Sequence, residues 1–361
     1  MQNNTVKKRI GWIDAMRGFT MILVVFSHIE VFGLGMEPDG GINGLLKLVR
    51  MPLFFFISGF IAYRKNEYWD YSYYKTNLLK KLRVQLIPML FFGLIFATVF
   101  YSAQNGMTPK EGVLLFIDDS SKLGYWFTEA LLIMFLIYYT VSLLTRKCKA
   151  IIKYIILIAI ALFFYLMAFR SQTGYNHINY VRWFSINNVL LYFQFFVCGN
   201  IVSYYREKVF KALDNQYAIG VIVLLFIIFL ILYKQRADVQ GLYVHTTTSK
   251  LLAETIHYLG IATILAVFRR YENFFSSKTK VGKGLQYIGT RTLDVYLLHY
   301  FFIPTIPFLG AFFTSQPSVL LEATTVVALS LLVIVFCLIV SNTIRVSPFL
   351  AHWLLGVKQK K

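Results

Sequence analysis

WIDAMRGFTMILVVFSHIEVF, residues 12–32, decides the fold class. A helix that crosses a bilayer needs about 20 mostly apolar residues, and this stretch supplies that length without a proline. Nine more stretches of the same character follow, at 46–63, 84–102, 125–144, 152–169, 187–203, 218–233, 251–268, 292–311 and 320–342. Gly, Pro and charged residues punctuate the gaps. The whole chain agrees: 57% of its 361 residues are hydrophobic and only 15% are charged, with a mean hydropathy of +0.60. A soluble domain averages about 25% charged residues and needs polar cover for its surface. The composition excludes a soluble enzyme, a disordered chain and a secreted disulfide scaffold. The expected fold is all-α, a polytopic transmembrane helix bundle of about ten spans. No gap leaves room for a soluble domain, so residues 1–361 form a single integral-membrane domain.

Charge sets the expected topology. The chain carries 36 Lys and Arg against 17 Asp and Glu, a formal net charge of +19. In a soluble protein that excess would suggest nucleic acid. In a membrane protein it marks cytoplasmic loops, so no nucleic-acid partner is expected. With Lys7, Lys8 and Arg9 inside, 26 of the 36 cations fall on inner segments and 9 on outer loops, with Arg17 inside the first span. Both termini are then cytoplasmic. A cleaved signal peptide would also begin with a basic stretch. The long apolar run, the missing A-x-A site and the interrupting Arg17 and His28 argue against one. Cys148, Cys198 and Cys337 lie far apart and form neither a metal-binding spacing nor a disulfide framework, so no metal is expected.

Ionisable groups inside spans are costly and therefore mark candidate sites. Eleven residues separate Arg17 from His28, which brings them within about 20° of one another on the helix and about 16 Å apart along it. Asp14, three residues before Arg17, is spaced for an ion pair. A snorkelling Arg and a packed His are the plain alternative. In the second span, RMPLFFFISGF (50–60) carries Arg50 at the outer mouth. Its Ser58-Gly59 pair is small enough to admit another helix closely. KKLRVQLIP (80–88) precedes the third predicted span. Lys80, Lys81 and Arg83 there are either positive-inside punctuation or a phosphate site helped by a helix N-terminus. Trp126 opens the fourth span as part of an aromatic belt. Glu129, inside it, needs a partner, for which His28 or Arg50 is available in the same outer half. The ninth span holds Asp294, Tyr296 and His299. His299 could equally bond a backbone carbonyl of a neighbouring helix.

Together these pieces resemble the acyltransferase family 3 membrane proteins, transmembrane O-acyltransferases that decorate bacterial cell-surface glycans. The resemblance runs along most of the chain. It rests on D-x-x-R-G followed by R-x10-H (Asp14, Arg17, Gly18, His28), on MPLFFFISGF at 51–60, on WF at 126–127, and on YIGTRTLDVYLLH at 287–299. Thr292 stands where the family usually has Ser. The absence of the longer W-S-L-x-x-E signature makes the chain look more like the fucose 4-O-acetylase-like branch.

The resemblance implies a multi-pass protein of the bacterial inner membrane. It would move an acyl group, usually acetyl, from cytoplasmic acetyl-CoA to a hydroxyl of a cell-surface or lipid-linked glycan. Partners are then acyl-CoA, the glycan acceptor and membrane lipid; oligomeric state stays open. Such transfer needs a base for the hydroxyl and a donor for the carbonyl oxygen. His28 is the candidate base or transient acyl carrier, Glu129 its orienting carboxylate and His299 a second catalytic residue. Asp14, Arg17 and Arg83 are candidates for donor binding. Arg50, Ser58, Trp126 and Tyr296 are candidates for contact with the acceptor or for lining a pore. A transporter or flippase for a polysaccharide or lipid-linked sugar is the alternative, since charges at mid-membrane depth also suit a substrate path.

Overall fold

The computed structural model describes residues 9–358 apart from 39, 66, 171–174, 176 and 241–246. Among the described residues all regular structure is helical. In chain order the long helices are α1 (Gly11–Gly33), α2 (Ile42–Ala62), α3 (Tyr71–Gln104), α4 (Trp126–Leu144), α5 (Ala150–Arg170), α6 (Ile186–Tyr204), α7 (Gln216–Gln235) and α8 (Thr248–Arg270). Three short helices follow: α9 (Lys280–Thr290), α10 (Thr292–Leu298) and α11 (Pro307–Ser315). The last long helix is α12 (Val319–Val346). Each of the nine long helices has the length and apolar composition to cross a bilayer.

The stretch 292–311 departs from its expected form as one helix. α10 stops at Leu298, a single 3-10 turn covers His299–Phe301, and regular structure resumes only at Pro307. Pro304 and Pro307 have no N–H to give to a helical ladder, so a continuous helix cannot form across them. Such a break is tolerated at membrane depth only where the freed backbone groups find partners in the protein. The Ile306 amide does so, donating to the Gly33 carbonyl at 2.7 Å. The broken stretch still runs alongside α1. Leu285 lies against Gly18, Thr292 bonds Arg17, His299 bonds His28 and Pro304 lies against Gly33, so the chain follows α1 in parallel. α12 returns antiparallel, with Asp294 bonded to Ser341 near one end and Glu322 beside Glu30 near the other.

α3 also differs from expectation. It begins at Tyr71, capped by the Asp70 carboxylate, which accepts from the Tyr73 amide at 2.7 Å. Lys80, Lys81 and Arg83 therefore sit inside a continuous helix, and no helix N-terminus adds its positive end to them.

Two glycine contacts set the closest approaches. A Cβ on Gly18 would collide with the Leu285 carbonyl, and one on Gly289 with the Asp14 carbonyl, so α1 and α9 touch backbone to backbone. Gly59 and Gly199 do the same for α2 and α6, against the Phe196 and Phe56 carbonyls. Small residues at such crossings let dispersion contacts and backbone dipoles hold helices where lipid offers no hydrophobic driving force. Phe55 and Phe56 of α2 and Phe193, Phe195 and Phe196 of α6 are all wholly buried.

Candidate active site

The parallel run of α1 and the 292–300 segment brings two imidazoles together. His28 Nδ1 lies 2.7 Å from His299 Nε2. His299 is wholly buried, and its Nδ1 lies 2.8 Å from the Tyr296 carbonyl and 3.1 Å from that of Val295. Carbonyls only accept, so His299 Nδ1 carries the proton and its Nε2 is bare in the neutral ring. His28 Nδ1–H must then donate to it. That leaves the lone pair of His28 Nε2 free to accept, and the Tyr300 hydroxyl lies 3.3 Å from it. Proton positions follow from the carbonyls, giving a directed chain Tyr300 → His28 → His299 → backbone.

Arg17 and Asp14 define a second polar point on the same face of α1. Arg17 donates to the Thr292 hydroxyl at 2.8 Å and pairs with Asp14 at 3.4 Å. Its side chain keeps 28% of its surface exposed. Lys81, its ammonium 3.3 Å above the centre of the Phe135 ring, is a charged neighbour of Arg17. Both Arg17 and His28 contact the 292–300 segment, as two residues on one helix face must. Asp294 is spent elsewhere, accepting from Arg345 at 2.5 Å and from Ser341 at 2.6 Å.

The other candidates fall into separate places. Glu129 does not orient His28: it is buried and accepts from the Ser185 hydroxyl at 2.7 Å, on α4 facing the start of α6. The neighbour at His28 Nδ1 is His299. Tyr296 is buried, and its hydroxyl accepts from the Phe127 amide at 3.1 Å while donating to the Gly124 carbonyl at 2.8 Å. It ties α10 to the start of α4 and lines no pore. Trp126 stacks on Tyr192, ring centres 5.7 Å apart. The Ser58 hydroxyl donates to its own helix at Phe54 O, 2.9 Å, beside the Gly59 crossing. Arg50 donates to Asn43 Oδ1 at 2.8 Å, and Asn43 also takes the Ser27 hydroxyl, one residue before His28. Arg83 contacts His352 Nε2 at 2.9 Å, apart from Arg17.

Several residues near His28 are ones the sequence reading does not single out. Tyr300 is one aromatic among 24 Tyr and 34 Phe. Phe32 is 56% exposed with its ring 5.6 Å from that of His28, so it borders the opening to the imidazole. Glu30, an ionisable residue inside the first span that the sequence reading passed over, is wholly buried two residues past His28, and its place against Glu322 shows only once α12 is packed. No metal cluster occurs among the described residues.

The apolar bundle thus carries polar groups along one face of α1, from the Arg17 guanidinium to the paired His28 and His299 imidazoles. The chain belongs to acyltransferase family 3: the sequence model of that family, an acyltransferase domain, matches residues 10–342. No curated protein and no solved structure matches the chain. The protein is a multi-pass membrane acyltransferase.

Proposed function

We propose that the protein transfers an acetyl group from cytoplasmic acetyl-CoA to a hydroxyl of a cell-surface or lipid-linked glycan. It would do so in a bacterial inner membrane, as a member of the fucose 4-O-acetylase-like branch, with both termini on the donor side. The observation that carries this reading is the 2.7 Å contact between His28 and His299. A neutral imidazole whose Nδ1–H is already engaged presents Nε2 as a base, and the second ring accepts the Nδ1–H bond that strengthens as His28 becomes cationic. Arg17, about 16 Å along the helix from His28, suits the phosphate-bearing part of an extended donor, and its planar fork matches phosphate geometry. The Asp14 and Thr292 contacts hold that fork in place. The thioester would then approach His28 from the Arg17 side while the acceptor arrives past Phe32.

Purified protein incubated with radiolabelled acetyl-CoA and envelope glycans tests the reaction. Label should move to glycan, and His28→Gln should lower the rate about 10²–10⁴-fold, because an amide hydrogen-bonds but takes no proton. Glycan passing across the membrane unlabelled would overturn the reading in favour of transport.

A further inference from the structure

We propose that Tyr300 is a catalytic residue whose hydroxyl holds the thioester carbonyl oxygen as it becomes anionic. This role rests on the acyl-transfer reading above. Tyr300 follows His299 in the 3-10 turn and is 8% exposed. Its hydroxyl lies 3.3 Å from His28 Nε2, and among the described residues that nitrogen is its one hydrogen-bond acceptor. The tautomers fixed by the Val295 and Tyr296 carbonyls make the phenol the donor in that contact. At this length the bond is weak compared with the usual ~2.8 Å, so it exchanges readily. The acceptor hydroxyl must occupy the same lone pair of Nε2. Its arrival releases the Tyr300 O–H beside the reacting atoms.

Geometry then leaves the phenol one suitable task. The attacking oxygen sits about 3 Å from Nε2, and the carbonyl carbon about 3 Å from that oxygen. The carbonyl oxygen thus comes within reach of a hydroxyl that itself lies 3.3 Å from Nε2. The ring is fixed beforehand. It packs 4.1 Å from the His299 ring, 5.3 Å from that of Tyr125 and 5.4 Å from that of Phe96, centre to centre. The hydroxyl rests against Gly124, whose φ of +99° and missing Cβ make the space it occupies. A donor held in place before charge develops does not have to reorganise, which is where such groups gain their effect.

The step balances. The acceptor oxygen bonds to the thioester carbon as its proton passes to His28 Nε2. The carbonyl π pair moves onto oxygen, which takes the Tyr300 hydrogen bond. The pair returns, the C–S bond breaks, and the thiolate leaves with the proton from Nε2. Ester and thiol are released, and both side chains return to their starting forms.

Tyr300→Phe keeps the ring and removes the donor. With radiolabelled acetyl-CoA and the envelope glycans of the expressing membranes, kcat should fall about 10²–10³-fold while the KM for acetyl-CoA stays within about twofold. A second measurement needs no turnover. Diethyl pyrocarbonate should modify His28 several-fold faster in the Phe variant, because Nε2 has lost its cap. A Phe variant within threefold of an active wild type overturns the role of Tyr300 and leaves the reaction standing. Slower modification of His28 would mean that the ring had shifted, and would overturn it too. A wild type that moves no label overturns the reaction reading, and this role with it.

Discussion

Removing His299 isolates the contribution of the second imidazole. His28 Nδ1–H points at His299 Nε2 from 2.7 Å, and Glu129 is engaged with Ser185 instead of supplying a substitute. In the ground state that bond joins two neutral rings and contributes about 0.5–1.5 kcal/mol. Once His28 has taken a proton, the same bond has a charged donor and contributes about 1.5–3 kcal/mol. Only the difference lowers the barrier, about 1–2 kcal/mol, or roughly 5- to 30-fold in kcat. His299→Ala loses more, since His28 is also free to turn or to move its proton to Nε2, where it can no longer act as a base. The expected loss is at least about 30-fold in kcat, with the KM for acetyl-CoA little changed. His299→Gln offers an amide oxygen to Nδ1–H and should recover part of that loss. Both variants are assayed by label transfer from acetyl-CoA in membranes matched for protein level. A His299→Ala protein that keeps kcat within twofold, at normal level and thermal stability, would refute the coupled pair and leave His28 acting alone.

Further outcomes follow from other contacts. Arg17→Ala should raise the KM for acetyl-CoA by about 10- to 150-fold, the loss of one charge-assisted contact of about 1.5–3 kcal/mol, with Arg17→Lys recovering only part; donor titrations of the initial rate decide it. Gly59→Ala forces a Cβ onto the Phe196 carbonyl, a backbone atom that cannot step aside, and should destabilise by at least about 1–3 kcal/mol, whereas Gly220→Ala enters open space and should be neutral; thermal unfolding in detergent separates them. Asp118 accepts from Trp183 at 3.0 Å and from Arg182 at 2.6 Å, and these bonds hold its carboxyl below the usual carboxylate range. A carboxyl whose titration is lowered by folding adds stability above its unfolded pKa and loses it as pH falls through the folded one. The protection against hydrogen exchange around Arg182, taken relative to the pH-dependent rate of an unstructured peptide, should therefore stay constant from pH 7 to about pH 5 and fall only below about pH 4; a fall already at pH 6 would contradict the tie.

The fold was legible wherever composition alone decides structure. Apolar runs such as 152–169 and 320–342 became long helices because no other backbone state satisfies its own hydrogen bonds in lipid. The 292–311 run misled because hydropathy counts Pro304 and Pro307 as tolerable, while the helical ladder does not. The site was legible along one helix and no further. The angle between Arg17 and His28 is a property of α1, and both reach the 292–300 segment as that angle requires. Which helix faces which is not written in spacing. A carboxylate within a span needs a partner, and that need gave no means of choosing Ser185 over His28 for Glu129. Tyr300 and the partner of Glu30 entered only through packing between distant segments, while Phe32 and Glu30 themselves lie on α1 beside His28 and were passed over.

The backbone contact of Gly18 with Leu285 and of Gly289 with Asp14 has a consequence for biosynthesis. His28 emerges from the ribosome among the first residues, and His299 follows 271 positions later. Through nearly all of translation the first imidazole waits in the membrane without its partner, since the segment that carries the partner and the α9 glycine contact that helps dock it on α1 both lie near the end of the chain. The imidazole pair is therefore completed near the end of chain synthesis. A nascent or truncated polypeptide ending before residue 280 can insert its apolar helices yet cannot form the contact between His28 and His299.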